Sequence, residues 1–259
     1  MNQTVLFDAL VKMLGGQGVV PPRRVARFLK EADKASFKQG GKEFVRHFRD
    51  LCALKPNEKV LDVGCGHGRI AYALTRYMNK KGRYEGLDVS PFCIRWCRKK
   101  IGSRFPNFQF REVNVFNRYY RPEGELSASR FKYPYPDESF DFVCLISVFT
   151  RMLPGQIKNY LAEINRVLKK GVGRCLVSFF FYKEGTGHRG KTVQFKHSFR
   201  KYRAVCRSLP EAAVAYDENY VLNLFEKNDL RVQQPIYYGS WRNGKNYLDF
   251  QDIVIAVKK

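Results

Sequence analysis

Three glycines, Gly64, Gly66 and Gly68, follow directly on a short apolar run, 59–63, and precede a segment with helical spacing, 70–78. Glycine at such a turn permits positive φ angles and lets a ligand touch the backbone. The helix beyond the turn begins with N–H groups that no carbonyl of the helix accepts. The pattern therefore predicts a buried strand, a ligand-binding turn and a helix in immediate succession.

The alternation of strand and helix continues along the chain. Further apolar runs and amphipathic segments predict strands at 84–87, 108–113, 140–146 and 174–180, and helices at 91–101, 154–168 and 217–228. Strands that alternate with helices indicate a parallel sheet covered on both faces. The last two strands, 232–237 and 252–257, are separated by too short a segment for a helical crossover and should pair antiparallel. We expect a Rossmann-like, doubly wound α/β fold with a mostly parallel seven-stranded sheet and an antiparallel last strand.

The composition of the chain changes near residue 57. Residues 1–56 contain no strand-like run, which predicts an N-terminal helical extension ahead of a domain at 57–259. Two long segments of that domain, at about 116–138 and 182–215, fit neither strand nor helix. Long irregular segments in compact domains are usually functional loops or small inserted elements, so we interpret both as insertions.

An acidic residue ends the second predicted strand. Asp88 lies twenty residues past Gly68, where a carboxylate typically accepts both hydroxyls of a ribose. A dinucleotide fingerprint would place its third glycine where this chain has Arg69. Asp62, inside the first strand, would repel a pyrophosphate but suits a ligand with an ammonium group. The residues thus favour an adenosine that carries a positively charged amino-acid tail.

The segment 60–68, with the sequence VLDVGCGHG, resembles motif I of the class I S-adenosylmethionine-dependent methyltransferases of the small-molecule, type 11-like kind. The resemblance extends over most of 58–259. It implies S-adenosyl-L-methionine as cofactor and an adenine contact at Asn114, where the family most often has Asp. The cofactor-binding residues that it implies are Asp62, Gly64, Cys65, Gly66, Gly68, Asp88, Val89, Asn114, Val115 and Ile146.

No catalytic residue follows from the resemblance. Many members have a histidine at the position of Arg151, which stays protonated and is not a base. His188 and His197, in the second insertion, are weak alternatives. Cys93 and Cys97 are four residues apart on a helix, but no further ligand completes a zinc set, so we expect no metal.

The acceptor remains open between two classes of molecule. The 47 basic and 24 acidic residues give a net charge of +23, and the segment 186–208 holds seven basic residues, no acid and three aromatics. Such a segment suits RNA or a small anion. The motifs of amino-methylating and pyrimidine C5-methylating enzymes are absent after the fourth strand. We therefore favour a small-molecule or glycan-type acceptor, for which the basic segment allows an anionic group. An RNA methyltransferase is the alternative, and a non-catalytic cofactor-binding subunit is the third hypothesis.

The cellular location is predicted from what the sequence lacks. No apolar run is long enough to span a bilayer, and the first residues have no secretory pattern. Seven cysteines without a CxxC pair indicate reduced thiols. These features predict a cytoplasmic protein without a membrane span. They say nothing about its oligomeric state.

Overall fold

The computed structural model describes residues 34–118, 120–183, 193–242 and 247–259. The chain divides into two compact units, residues 1–113 and 114–259. Helices and strands are numbered below in chain order through both units.

In its described residues, 34–113, the first unit contains three helices and three strands. β1, β2 and β3 pair in parallel, with Asp62 opposite Gly86 and Asp88 opposite Glu112. Residues 60–63 are all buried, as expected for a strand with helices on both faces. The elements are α1 (Lys34–Cys52), β1 (Lys59–Val63), α2 (Arg69–Leu74), β2 (Arg83–Asp88), α3 (Pro91–Cys97), a π-helical turn (Arg98–Gly102) and β3 (Phe108–Glu112).

Helix α1 lies close against α2. A Cβ atom on Gly41 would overlap the carbonyl oxygen of Arg69, and the Arg69 guanidinium lies 5.5 Å from the centre of the Phe44 ring. Glycine at position 41 therefore allows the two helices to approach. Helix α1 falls within the predicted N-terminal extension, whose residues 1–33 lie outside the described part of the chain.

The second unit contains two helices and eight strands in its described residues. Asp217 caps α5 by accepting a hydrogen bond of 2.8 Å from the Tyr220 amide. The elements are β4 (Phe142–Leu145), α4 (Pro154–Val167), β5 (Arg174–Phe179), β6 (Phe181–Tyr182), β7 (His197–Ser198), β8 (Tyr202–Ala204), β9 (Val214–Asp217), α5 (Glu218–Glu226), β10 (Leu230–Tyr237) and β11 (Asp252–Lys258), with 3₁₀ turns at Phe149–Arg151, Pro210–Ala212 and Ser240–Arg242.

The main sheet has seven strands in the order β10-β11-β5-β4-β1-β2-β3. β11 runs antiparallel to both of its neighbours, β5 and β10. The predicted fold class, including the antiparallel last strand, is confirmed. The predicted element boundaries are mostly right to within two residues, but α2 ends at Leu74 because Thr75–Tyr77 form turns.

A second, four-stranded sheet has the order β6-β9-β8-β7. Its strands lie within or at the ends of the segment 182–215, for which the sequence predicted no strand. β6, β7 and β8 have only two or three residues each, too few for an alternating pattern to be recognisable. The other unassigned segment, 116–138, contains isolated bridges such as Val115 with Leu126, but neither a helix nor a strand in its described residues.

None of the described helices combines the length and apolarity that crossing a bilayer requires. All seven cysteines are free thiols, six of them buried and Cys206 partly exposed.

Candidate active site

The glycine loop is held in a fixed conformation by the end of β2. Gly64, Gly66 and Gly68 have φ angles of 81°, 52° and 84°, a region that favours glycine. The amides of Gly64 and Cys65 both donate to the carbonyl of Leu87, at 2.7 and 2.9 Å. The loop therefore has its shape before any ligand arrives.

Gly66 and Gly68 serve different purposes. A Cβ atom on Gly66 would meet nothing within 4 Å, whereas one on Gly68 would lie 2.7 Å from Cδ1 of Ile101 and 2.9 Å from Sγ of Cys97. Gly68 is required for packing against α3 and the π-helical turn that follows it. Gly66 borders open space, which is what a loop that cradles a ligand needs.

Asp88 is oriented by backbone amides. Its Oδ2 accepts from the amide of Gly66 at 2.8 Å, and its Oδ1 accepts from the amide of Ser90 at 2.8 Å. The amide of Val89 also donates to this carboxylate. Since a carboxylate has about four acceptor sites, capacity for ligand hydroxyls remains. Burial raises the pKa of the Asp88 carboxyl, while the N–H groups of Ser90 and Gly66 act in the opposite direction. Val89 follows directly and is half-buried.

Two predicted residues on the β1 side are buried. Asp62 is only 1% exposed and accepts a hydrogen bond of 2.7 Å from the Tyr84 hydroxyl. Cys65 is also buried, and desolvation raises the pKa of its thiol well above the usual range. Cys65 is therefore a neutral thiol in the wall of the loop and not a nucleophile.

A histidine that the sequence did not single out lies within the loop. His67 is buried, and its ring centre is 5.2 Å from that of Phe37 on α1. The first turns of α1 thus pack against the residue between Gly66 and Gly68. Only the three-dimensional contact identifies this pair, because Phe37 belongs to a segment without a recognised motif.

The remaining predicted cofactor residues belong to the second unit. Asn114 is half-buried, and its side-chain oxygen accepts from the Glu125 amide at a long 3.4 Å. Since an amide oxygen has two lone pairs, it retains the capacity to accept a second donor. Val115 is buried and bridges to Leu126, while Ile146 is half-buried directly after β4.

A polar cluster follows β4. Ser147 has a φ angle of 61°, rare for a residue with a side chain. The amide of Ser147 donates to Oγ of Ser178 at 2.7 Å. The hydroxyls of Ser178 and Ser147 donate to Oε1 of Gln251 at 2.6 and 3.2 Å. Strained backbone of this kind concentrates at functional sites, so this serine cluster (Ser147, Ser178 and Gln251) is a candidate for contact with an acceptor.

Aromatic rings lie next to members of the serine cluster in the chain, with Phe180 two residues after Ser178 and Phe250 directly before Gln251. The Phe180 ring centre lies 5.2 Å from those of Phe195 and Trp241 and 5.9 Å from that of Phe250. We call these four residues the aromatic cluster. The buried carboxylate of Asp252 fixes Trp241 by accepting from its Nε1 at 3.0 Å. Phe250 is 39% exposed and Phe195 half-buried, so the cluster reaches the surface.

The other candidate catalytic residues from the sequence either contact the protein's own backbone or lie outside the described residues. Arg151 donates to the carbonyl of Ala212 at 2.6 Å. His197 lies on β7 with its backbone opposite Ala204, and His188 falls outside the described residues. In the part of the chain that the structure describes, no three His, Cys, Asp or Glu residues gather as a metal site would require.

The segment 186–208 is described from residue 193 onward. Phe199 and Tyr202 stack at 4.5 Å, Lys201 lies 4.9 Å above the Tyr220 ring, and Arg203 lies 4.3 Å above the Tyr182 ring. Lys196 and Arg200 are exposed. Part of the positive charge therefore packs on aromatic rings.

Comparisons of the sequence with known proteins identify one family. The profile of a family described as "Methyltransferase domain" matches residues 54–229. Phthiotriol/phenolphthiotriol dimycocerosates methyltransferase of Mycobacterium tuberculosis is 32% identical over 114 residues, which cover 44% of this chain and 35% of that protein. Demethylmenaquinone methyltransferase of Lysinibacillus sphaericus is 31% identical over 119 residues, which cover 46% of this chain and 43% of that protein. The chain thus spans less than half the length of these relatives.

Solved structures agree on the fold. A Pyrococcus horikoshii protein superposes with a TM-score of 0.57 at 18% identity, covering 86% of this chain and 91% of that one. 1,6-didemethyltoxoflavin-N1-methyltransferase of Burkholderia thailandensis, solved with 1,6-didemethyltoxoflavin and S-adenosylhomocysteine, has a TM-score of 0.54 at 16% identity. That match covers 99% of this chain and 88% of the other.

Proposed function

Since this chain belongs to the class I S-adenosylmethionine-dependent methyltransferases, we propose that it methylates a small molecule with an apolar, ring-bearing body. The observation that carries the proposal is the aromatic cluster, which reaches the surface and adjoins the serine cluster in sequence at two points. Phe180 lies two residues after Ser178, and Phe250 directly precedes Gln251. The proposal keeps the small-molecule class that the sequence favours, but it replaces the anionic or glycan-type character allowed there with an apolar one.

We assign cofactor binding to the residues around the glycine loop. The open space at Gly66 would receive the ligand, and Asp88 would accept the ribose hydroxyls with its remaining acceptor capacity. Asp62 would act through Tyr84 and the loop backbone, since its carboxylate is buried. Asn114, with Val115 and Ile146, would contact the adenine. S-adenosylmethionine supplies, when bound, a methyl group that is already activated.

The serine cluster has the chemistry to orient an acceptor. Hydroxyl groups both donate and accept, and the Gln251 amide adds two donors. Ser147 and Gln251 are half-buried, which shields part of the site from water. None of the three side chains is a strong base. Their contribution would be to align the acceptor, the main task in moving an activated methyl group.

The aromatic cluster suits the body of such an acceptor. Aromatic rings bind flat apolar molecules through large buried area and edge-to-face contacts. Two relatives are consistent with a lipophilic acceptor, since their names refer to demethylmenaquinone and to phthiotriol/phenolphthiotriol dimycocerosates. A quinol or another lipophilic ring compound is the acceptor class that we favour.

The RNA alternative rests on the basic segment 186–208. Exposed Lys196, Arg200 and Lys201 favour it, whereas Arg203 is half-buried and packs on the Tyr182 ring. The small-molecule hypothesis needs no such charge and relies on the side chains of the serine cluster and of the aromatic cluster.

The test is methyl transfer from labelled S-adenosylmethionine to separate pools of lipids, polar metabolites and RNA, with a reduced naphthoquinone as a defined acceptor. We expect label in the lipid pool. Gln251→Leu should reduce turnover while cofactor affinity stays the same, and Asp88→Ala is the control that loses cofactor binding. Label only in RNA would establish the alternative. Cofactor binding without transfer to any pool would favour a non-catalytic subunit.

A further inference from the structure

A groove in the first unit lies beyond the residues assigned to the cofactor. It has a volume of about 330 Å³ and is formed by α1 on one side and the last turn of α2 with the following residues on the other. Its lining residues are Lys38, Lys42, Val45, Arg46, Arg49, Tyr72, Ala73, Arg76 and Tyr77. The glycine loop precedes the first turn of α2, whereas this groove is at its end.

The groove is strongly basic. Five of its nine lining residues are Lys or Arg, all five are exposed, and none of the nine is acidic. Four of the cations, Lys38, Lys42, Arg46 and Arg49, succeed one another at intervals of four, four and three residues along α1. This spacing places them on one face of the helix over roughly 17 Å.

The arrangement is unfavourable for the helix by itself. Like charges three or four residues apart on a helix destabilise it. Among the described residues, Asp50 offsets part of the charge by pairing with Arg49 at 2.6 Å, and Glu43 accepts instead from Gln39. Lys38, Lys42 and Arg46 form no ion pair with the described part of the chain. A stripe of repelling charges facing one groove is what an anionic partner would require.

The geometry favours many phosphates on a surface over a single small anion or a nucleic acid strand. One phosphate spans far less than the length of the stripe. Bases would need a free aromatic face, but the Arg76 guanidinium lies 5.0 Å above the Tyr72 ring and donates to the Tyr72 hydroxyl at 2.9 Å. The hydroxyl of Tyr77 donates to the carbonyl of Leu54. Both tyrosines thus serve as the wall of the groove.

We propose that this groove and the cationic stripe of α1 bind the phosphates of anionic phospholipids at a membrane surface. Arginine and lysine both bind phosphate, the first through its planar fork and the second as a point charge. The apolar side of α1, including Phe44 and Phe48, is buried in the fold. Binding would therefore be electrostatic and peripheral, without insertion of the helix. The proposal does not depend on the identity of the methyl acceptor.

The test is co-sedimentation of the full chain with vesicles of phosphatidylcholine alone or mixed with phosphatidylglycerol. We expect binding to the mixed vesicles only. The triple variant Lys38→Gln, Lys42→Gln, Arg46→Gln should bind them roughly a hundredfold more weakly, given the usual contribution of each basic residue near an anionic surface. The matched control is Lys80→Gln, Lys81→Gln, Arg83→Gln, which removes the same number of exposed charges outside the groove.

Three results would overturn the proposal. Equal loss in the control variant would mean that only net charge matters. Equal binding to both kinds of vesicle would exclude head-group charge. Retained vesicle binding by the groove variant, together with loss of binding to an RNA oligonucleotide, would assign the groove to nucleic acid. Thermal unfolding checks the fold, and we expect the groove variant to be no less stable than the parent because repelling pairs are removed.

Discussion

The amide of Gly66 donates a hydrogen bond of 2.8 Å to Oδ2 of Asp88, across twenty-two positions of sequence. The bond joins the middle of the glycine loop to the carboxylate that ends β2. Each group orients the other: the carboxylate fixes the loop, and the loop holds the carboxylate with acceptor sites left for a ligand. The two motifs that predict a cofactor site are therefore one structural unit.

We expect Asp88→Ala to weaken S-adenosylmethionine binding by about 1.5 to 3 kcal/mol, since it removes charge-assisted bonds to the ribose. Asp88→Asn is the matched variant because its oxygen can still accept from the loop amide. This variant should stay folded and lose most of the binding free energy that the charge of Asp88 contributes. Calorimetric titration of the three proteins measures both effects. Parent-like affinity in Asp88→Ala would remove this residue from the cofactor site.

Cofactor affinity should fall on acidification. The proposed ribose contact needs the ionised carboxylate, and burial raises the pKa of Asp88 above its ordinary value of 3.8. Affinity should therefore begin to drop at a higher pH than for an unperturbed aspartate, reaching about tenfold per pH unit once the pH is below this pKa.

The same carboxyl does not account for acid unfolding. A raised pKa means that ionisation disfavours the folded state, so the stability linked to Asp88 is lost as the pH rises through that pKa and is regained on acidification. Binding and unfolding should thus respond to acid differently. Calorimetric titrations with the cofactor and unfolding measurements, each at several pH values for the parent and Asp88→Asn, separate the effect on binding from the effect on stability. An equal pH dependence of cofactor affinity in both proteins would contradict the assignment of Asp88 to the cofactor site.

Gly66→Val should abolish cofactor binding while the sheet remains folded. Its side chain would enter the open space of the loop, and its positive φ adds a strain of roughly 1 to 2 kcal/mol. Gly171→Val is a matched control, since Gly171 also has positive φ, at 74°, and open space around its Cβ position. It should show the strain in thermal unfolding without loss of binding. Equal affinity of the two variants would refute the placement of the ligand at Gly66.

Gly68→Ala should mainly lower the free energy of unfolding. Its Cβ atom would overlap Cδ1 of Ile101 and Sγ of Cys97, and its φ of 84° is unfavourable for alanine. We expect a loss of 1 to 3 kcal/mol, on the order of other overpacking changes in cores. Denaturant unfolding measures it. A Gly68→Ala protein as stable as the parent would show that Ile101 and Cys97 can move aside at little cost.

The contrast between Gly66 and Gly68 also marks the limit of what the sequence predicts. The strand, glycine loop, helix and Asp88 are local patterns, and the structure has these elements where the sequence places them. The packing of Gly68 depends on Ile101, and the serine cluster joins Ser147 to Gln251 across 104 positions. Contacts at such separations leave no periodic signal. The four-stranded sheet escaped prediction because its strands are too short for alternation.

Neutralising Lys196, Arg200 and Lys201 to Gln distinguishes the two acceptor classes. If RNA were the acceptor, each lost phosphate contact would remove nearly one unit from the salt dependence of its binding, or roughly two to three units in all. All three residues are exposed, so each could reach a phosphate. For the small apolar acceptor that we propose, we expect the salt dependence of acceptor binding and the cofactor affinity to stay nearly unchanged. A slope reduced by two units or more would favour RNA, and unchanged turnover would place this segment outside the acceptor site.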